Sequence, residues 1–389
     1  MSMREVFRVV YAPHKAFKEI IQKPGYKGPL IIMLLFVLSL SGFYYVFSTR
    51  VYYDQTVPGS GDLDKWTENA SLWSSKQGAT ISNNTSDYIK GNFYGNKSVQ
   101  FELNNSNRID MQLNFSEPLN CVEPNNYTNL SFRIKIIKPS ENPSNLSIFL
   151  CSENDADKYF NYSMEGDDLE IVNVWYNGTI SLANFIRVNG ADWRNITSLK
   201  FELAWENNKD ITVLVDGIFF HGYYKSILEM SGGAVMINSV ISGFMQFTVQ
   251  WVILAIILYL FSKLFKAQPV WKTMLTISGF VLITFFIQNL ILTGVVLAYP
   301  EMHLSLETLG GVPGEGMTAD AQNYVFIFVV LQYYILERIV YFVWIVVLCS
   351  IAVRLLFGFP WARSVSLSLL SSVISMLAFR FLMYGGVWL

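Results

Sequence analysis

Hydrophobic and polar positions divide this chain into long apolar runs and one long stretch of alternation. Residues 30–47, LIIMLLFVLSLSGFYYVF, carry no charge between Lys27 and Arg50, and further apolar runs follow at about 236–262, 274–298, 330–356 and 365–386. At about 1.5 Å of rise per residue each run is long enough to cross a bilayer as a helix, which predicts five spans. Between Val51 and Lys225 the period changes to two. Apolar residues alternate at Val99, Phe101 and Leu103; at Ile109, Met111, Leu113 and Phe115; at Leu130, Phe132, Ile134 and Ile136; and at Leu199, Phe201, Leu203 and Trp205. Such strands send one face to a core and the other to water. The clusters Glu123-Pro124-Asn125-Asn126 and Glu206-Asn207-Asn208-Lys209-Asp210 between them are turn chemistry. Two packed antiparallel sheets are the architecture expected at this length.

The expected fold class is therefore an α-helical membrane bundle of five transmembrane helices with an inserted all-β sandwich. Its divisions are 1–50 (a cytoplasmic interfacial helix and the first span), 51–225 (the sandwich) and 226–389 (four further spans). Basic residues flanking a span stay on the cytoplasmic side. Six Lys or Arg lie in residues 1–29, Lys263, Lys266 and Lys272 follow the second span, and Arg354 and Arg363 follow or flank the fourth. The loop from Pro300 to Asn323 has none and carries Glu301, Glu307, Glu315 and Asp320. This places the N-terminus in the cytoplasm, with residues 51–225 and the C-terminus outside. The first run reads as a retained helix, because a long basic segment precedes it and Tyr44, Tyr45 and Phe47 close it in place of a small-residue cleavage site.

Asparagine sharpens the topology. Of 24 asparagines between residues 51 and 225, twelve begin Asn-x-Ser/Thr: Asn69, Asn83, Asn84, Asn96, Asn104, Asn114, Asn126, Asn129, Asn145, Asn161, Asn177 and Asn195. About three or four would arise by chance, so an N-glycosylated ectodomain is expected. Cys121 and Cys151 fall in the same segment, where an oxidising compartment lets them pair as a disulfide; two separate buried thiols are the alternative. Cys349 lies in a span.

Composition removes several classes. The chain is 52% apolar and 15% charged, with mean hydropathy +0.33 and a net charge of −2, which gives no electrostatic basis for nucleic acid. With three histidines, at His14, His221 and His303, a poly-histidine metal site is not expected. No phosphate loop, dinucleotide fingerprint, His-Glu-x-x-His or Gly-x-Ser-x-Gly occurs, and the enzyme expectation is negative.

Within the fourth run stand Glu337 and Arg338. A charged membrane pair marks either a functional site or a helix-end anchor satisfied by a neighbour. Arg380 snorkels outward. Ala16, Phe17, Ile20 and Ile21 share one helical face, which predicts a helix lying on the cytoplasmic leaflet, with partner docking as the alternative. Among Trp66, Trp73, Trp175, Tyr176, Trp193 and Trp205, the adjacent Trp175 and Tyr176 are the candidates for stacking on sugar, since one of two neighbours on a strand faces outward.

The stretch Pro13-x-x-Ala16-Phe17-x-x-Ile20-x-x-x-Pro24 leading into the first span resembles the opening of the Yip-domain (Ypt-interacting protein) membrane family, over about 1–50 and 226–389. The resemblance implies the fold of the bundle. Leu63-Asp64-Lys65-Trp66, Gly95 to Leu103, Asp192 to Phe201 and Val213 to Phe220 resemble a galactose-binding-type jelly roll, the fold of many carbohydrate-binding modules. That second resemblance implies a structural Ca²⁺ with Asp216 as a candidate ligand; no cofactor is required.

The leading expectation is a non-enzymatic integral membrane glycoprotein, an envelope scaffold or accessory subunit. A surface glycan-binding receptor is one alternative. A transporter or channel component using Glu337, Arg338, Gln246, Gln250, Gln288 and Asn289 is the other. The expected partners are the lipid bilayer, other membrane proteins and glycans, not nucleic acid. The expected location is an archaeal cell membrane, with a eukaryotic endomembrane as the alternative.

Overall fold

The computed structural model describes residues 3–59, 64–153, 155–165, 169, 171–312, 322–323 and 341–384. The chain forms two compact units. One comprises Met1–Tyr52, Ser226–Met302 and Gln322–Leu389; the other comprises Tyr53–Lys225 and His303–Ala321.

The second unit is built on one eleven-stranded sheet: β1 (Val51–Val57), β2 (Trp73–Ser74), β3 (Thr80–Asn84), β4 (Ser98–Leu119), β5 (Asn129–Lys138), β6 (Asn145–Ser152), β7 (Asp155–Glu165), β8 (Tyr176–Ser181), β9 (Ile186–Val188), β10 (Ile196–Ser226) and β11 (Met302–Leu304). Strand β10 organises it. Its first half, Ile196 to Ala204, lies between β4 and β6, and its second half, from Ile211, pairs with both β4 and β5. Register shifts around Lys209 separate the halves, where the Asn-rich turn chemistry stands. The two resulting wings, β2-β4-β10-β6-β7-β9 and β3-β4-β10-β5-β8, bury their apolar phases in one core. Val99, Phe101, Ile109, Met111, Leu113, the β5 series Leu130 to Ile136, Leu199, Phe201, Leu203 and Trp205 are all buried in it. Leu103 and Phe115 are half-buried at its margin. Burying a large apolar side chain stabilises by about 1.5–3 kcal/mol, so strand alternation is the dominant instruction here.

Strand β5 is covered on its other side too. Ile89, Tyr94, Phe219 and Leu306 form a second small core, with Phe93, Trp175 and Val312 packed against it. Leu306 belongs to the short helix α8 (Leu306–Gly310). The connection between the third and fourth expected spans thus supplies part of this unit. Backbone contact is close: Asn92 N–H donates to the Gly310 carbonyl at 2.6 Å, and a side chain at Gly91 would bring its Cβ to 2.5 Å from that oxygen.

The other unit is helical: α1 (Met3–Tyr11), α2 (Pro13–Gln22), α3 (Lys27–Arg50), α4 (Ile227–Ser231), α5 (Ala234–Leu264), α6 (Trp271–Val281), α7 (Ile283–Ala298), α9 (Phe342–Phe357) and α10 (Trp361–Tyr384). Among the described residues, four helical stretches are long and apolar enough to cross a membrane: Lys27–Arg50, Ala234–Leu264, Trp271–Ala298 and Trp361–Met383. Of the expected fourth span only Phe342–Phe357 is described as helix; Glu337 and Arg338 lie outside the described residues. Helices α3 and α6 meet through small residues. A Cβ on Gly28 would stand 2.0 Å from the Phe280 ring, and one on Gly279 would stand 2.5 Å from Pro29. The in-span polar residues bond between helices: Gln250 Nε2 to Ser375 Oγ (3.2 Å) and Asn289 Nδ2 to Ser39 Oγ (3.4 Å). Gln246, Gln288 and Arg380 are half-buried.

Helix α2 packs on the other helices. Its apolar face does not lie free for lipid. Ala16, Phe17 and Ile20 are buried in the helical core with Met274, Ile277 and Leu348, and Ile21 packs against it. Burial of Phe17 against the protein's own helices removes the apolar face that an interfacial helix would give to the bilayer. Arg8 and Glu19, 2.9 Å apart, join α1 to α2.

Candidate functional site

Period two dictates that the residues between the buried positions of β4, β10, β6 and β7 share the opposite face. Register orders them into rows. One row runs Gln112, Lys200, Phe149, Asn161 and Ile186; the next runs Asn114, Ser198, Cys151 and Tyr159; a third runs Asp110, Glu202, Ser147 and Ser163. Phe149 and Tyr159 pack edge to face with centroids 5.6 Å apart, and Lys200 Nζ lies 4.0 Å from the Phe149 centroid. Their neighbours hold one another in place. Lys200 donates to Glu202 at 3.2 Å, Gln112 Nε2 donates to Asn114 Oδ1 at 2.9 Å, and Asn145 Nδ2 donates to Ser147 Oγ at 2.8 Å. A half-buried aromatic pair flanked by amides, an ammonium and a carboxylate can stack on the C–H face of a sugar and hydrogen-bond its hydroxyls. Ile186, 67% exposed, closes the edge of the row.

None of these aromatic residues was singled out by their sequence context. The usable signal is phase: Phe149 lies between Ile148 and Leu150, which are buried, so a large aromatic there must face outward. Trp175 and Tyr176, the sequence candidates, are half-buried. Trp175 gives its indole N–H to Asp87 Oδ1 (2.9 Å), and Tyr176 packs on Phe132. Trp66, Trp73 and Trp205 are core residues, and Trp193 stacks on Phe160 at 3.8 Å. Trp205 also borders a polar cleft of about 720 Å³ that Glu141, Asn145, Glu165, Glu206 and Lys209 help to line. Its buried indole offers that cleft no open ring face.

Asp216 is fully buried, and the structure brings Asp64, equally buried, against it. Asp216 accepts backbone N–H bonds from Ile89 (2.7 Å) and Gly217 (2.8 Å) and the Thr67 hydroxyl (3.2 Å). Neither carboxylate oxygen of Asp64 has a well-aligned donor among the described residues, although the Gly95 and Asp64 backbone N–H groups and the Asp216 carboxyl lie beside it. Burial pushes the Asp64 carboxyl up to about 6. Burial and the Asp64 charge beside it raise Asp216 well above the usual carboxylate range. Two orphaned oxygens facing a second acid suit a hard cation in donor chemistry. Asp64 and Asp216 would hold it, and the cation would neutralise them. Among the described residues no group of three or more His, Cys, Asp or Glu gathers, so hydroxyl, backbone and water oxygens would complete its shell.

The expected disulfide is absent: Cys121 and Cys151 are free thiols. Cys121 sits in the core, where burial pushes its thiol up to about 12, whereas Cys151 follows the outward phase of β6. Cys121 lies in the turn beyond the end of β4, and Cys151 on the outward side of β6.

The sequon asparagines lie at the surface. Asn69, Asn83, Asn96, Asn104, Asn114, Asn126 and Asn177 are exposed, and Asn84, Asn129, Asn145, Asn161 and Asn195 are half-buried. In two places sequon hydroxyls meet across strands: Ser131 with Thr179 (2.9 Å) and Ser147 with Ser163 (3.0 Å).

No family model matches the chain, and no curated protein matches it. Among solved structures, the chain is similar to a family 11 carbohydrate-binding module from Clostridium thermocellum in complex with a β-1,3-1,4-mixed-linked tetrasaccharide (19% identity, 44% of this chain and 96% of that one, TM-score 0.30). It is also similar to the family 30 carbohydrate-binding module of a C. thermocellum cellulosomal cellulase (14% identity, 42% and 96%, TM-score 0.32). An exo-β-agarase is a third (14% identity, 42% and 24%, TM-score 0.31).

Proposed function

We propose that the protein is a membrane-anchored receptor for saccharides, with the helical unit in the bilayer, the N-terminus cytoplasmic and the β-sandwich outside. The observation that carries the reading is the outward row Gln112, Lys200, Phe149 and Asn161 with Tyr159 beside it, an aromatic platform framed by polar groups. Calcium at Asp64 and Asp216 would stiffen the loop that holds Ile89 and Thr67 without touching the sugar. Glycan-array binding by the full chain in nanodiscs tests the reading. Binding should be lost in Phe149→Ala and Tyr159→Ala and kept in Trp175→Ala. Failure of the native chain to bind any saccharide would remove it.

A second reading, the envelope scaffold, is favoured by the sequon distribution. Asn114, Asn145 and Asn161 lie on the same face as Phe149, and a glycan on Asn161, its cross-strand partner, would cover the platform. The two readings therefore oppose each other at one residue. Glycan occupancy of Asn161 in protein from native membranes supports the scaffold; an empty Asn161 supports the receptor.

A further inference from the structure

A linear hydrogen-bonded array in the β unit belongs to neither reading. His221 Nδ1 lies 2.9 Å from Asp54 Oδ2, and His221 Nε2 lies 2.7 Å from Ser131 Oγ. The three residues come from β10, β1 and β5. Asp54 also accepts backbone N–H bonds from Gly222 at Oδ1 (2.7 Å) and Leu306 at Oδ2 (3.2 Å), so both of its oxygens face donors.

The protons can be placed from these contacts. An ionised carboxylate only accepts, so Nδ1 carries the imidazole proton and donates to Asp54, leaving Nε2 as an acceptor. Ser131 therefore directs its single O–H at Nε2. The 2.9 Å contact between Ser131 Oγ and Thr179 Oγ1 must then be donated by Thr179. Asp54, His221 and Ser131 are 5%, 3% and 6% exposed, while Thr179, which bonds the Ser131 hydroxyl, is exposed. The serine oxygen lies one hydrogen bond beneath the surface, with its proton already aimed at a base. A histidine that serves only packing needs two partners of any kind. Here the order is acid, imidazole, hydroxyl, and the acid is pinned by two backbone donors.

We propose that Ser131 is a nucleophile toward small activated esters, with His221 as its general base and Asp54 as a positioning residue. Ser131 Oγ forms a bond to the carbonyl carbon as its proton passes to His221 Nε2. Collapse of the adduct breaks the bond to the alkoxide, which leaves with that proton. Water then cleaves the acyl-serine with the same base, so one ester and one water give one acid and one alcohol.

The test uses the full chain in nanodiscs and an alkyl fluorophosphonate, which forms an Oγ–P bond as hydrogen fluoride is released. Peptide mass spectrometry should find the adduct on Ser131. The labelling rate should fall by about tenfold or more in His221→Gln, and the single ionisation in its pH profile should shift in Asp54→Asn. Asn129→Gln, which removes the sequon that Ser131 completes but keeps the hydroxyl, should label like the native chain. An unlabelled Ser131 in the native protein, beside a reference serine esterase that labels, overturns the proposal. Where the variants do not fold, heating the native protein decides instead: labelling that survives unfolding also overturns it.

Discussion

Asp64 and Asp216 set two carboxyl groups against each other inside the sandwich, both completely shielded from solvent. Both are raised, Asp64 to about 6, above the carboxylate range of an unfolded chain. A raised acid stabilises the fold in its protonated form, fully below about pH 4, and that contribution is lost as pH rises through about 6. In chelator the melting temperature should therefore fall as pH rises from about 4 through about 6. Millimolar Ca²⁺ should restore it, by about 2.7 kcal/mol at a hundredfold excess over Kd. Asp64→Asn should flatten both responses. A melting temperature indifferent to chelator and pH would remove the cation from the account.

Asp54 ties three chain segments together through His221, Gly222 and Leu306. Asp54→Ala strands those buried donors, and a cost of about 3 kcal/mol is expected. Hydrogen exchange should rise first in residues 303–312, where Asp54 accepts the Leu306 N–H.

The hydroxyls of Ser364, Ser368 and Ser371 are buried on α10 without a hydrogen-bond partner. Ser368→Ala removes no bond and should leave thermal stability unchanged or raise it by up to about 1 kcal/mol. Ser368→Leu should cost about 1–3 kcal/mol through overpacking. Unfolding of the detergent-solubilised chain measures both.

Gly28 and Gly279 make the closest approach of α3 to α6. Gly28→Val forces Phe280 aside and should cost about 1–3 kcal/mol. Gly42→Ala, in open space on the same helix, should cost nothing. Equal losses in the two would show that helix propensity, not packing, governs this helix.

The alternation of Leu130, Phe132, Ile134 and Ile136 made strand β5 legible, because only one register sends all four into the larger core. The same logic, carried one residue further, points to Phe149 and puts Cys151 on the outward side of β6. The union of residues 303–312 with the sheet was not legible. It rests on Leu306, Gly310 and the Asp54 carboxylate meeting across some 250 residues, and nothing local announces such a contact. Helix α2 shows a further limit: Phe17 on an amphipathic face looks alike whether lipid or protein covers it. The sequons carry an ambiguity of the same kind. Asn and Ser two apart on a strand share its polar side, so strands such as β6 and β7 favour Asn-x-Ser for reasons of solvation as well as modification.

Under the proposed glycosylation, the cross-strand bonds from Ser131 to Thr179 and from Ser147 to Ser163 would set an order of events during biogenesis. An oligosaccharide destined for Asn129, Asn145, Asn161 or Asn177 has to arrive while the neighbouring strand is still absent, since zipping consumes the hydroxyl that marks the acceptor. Translation speed would then decide how much sugar the proposed glycoprotein carries.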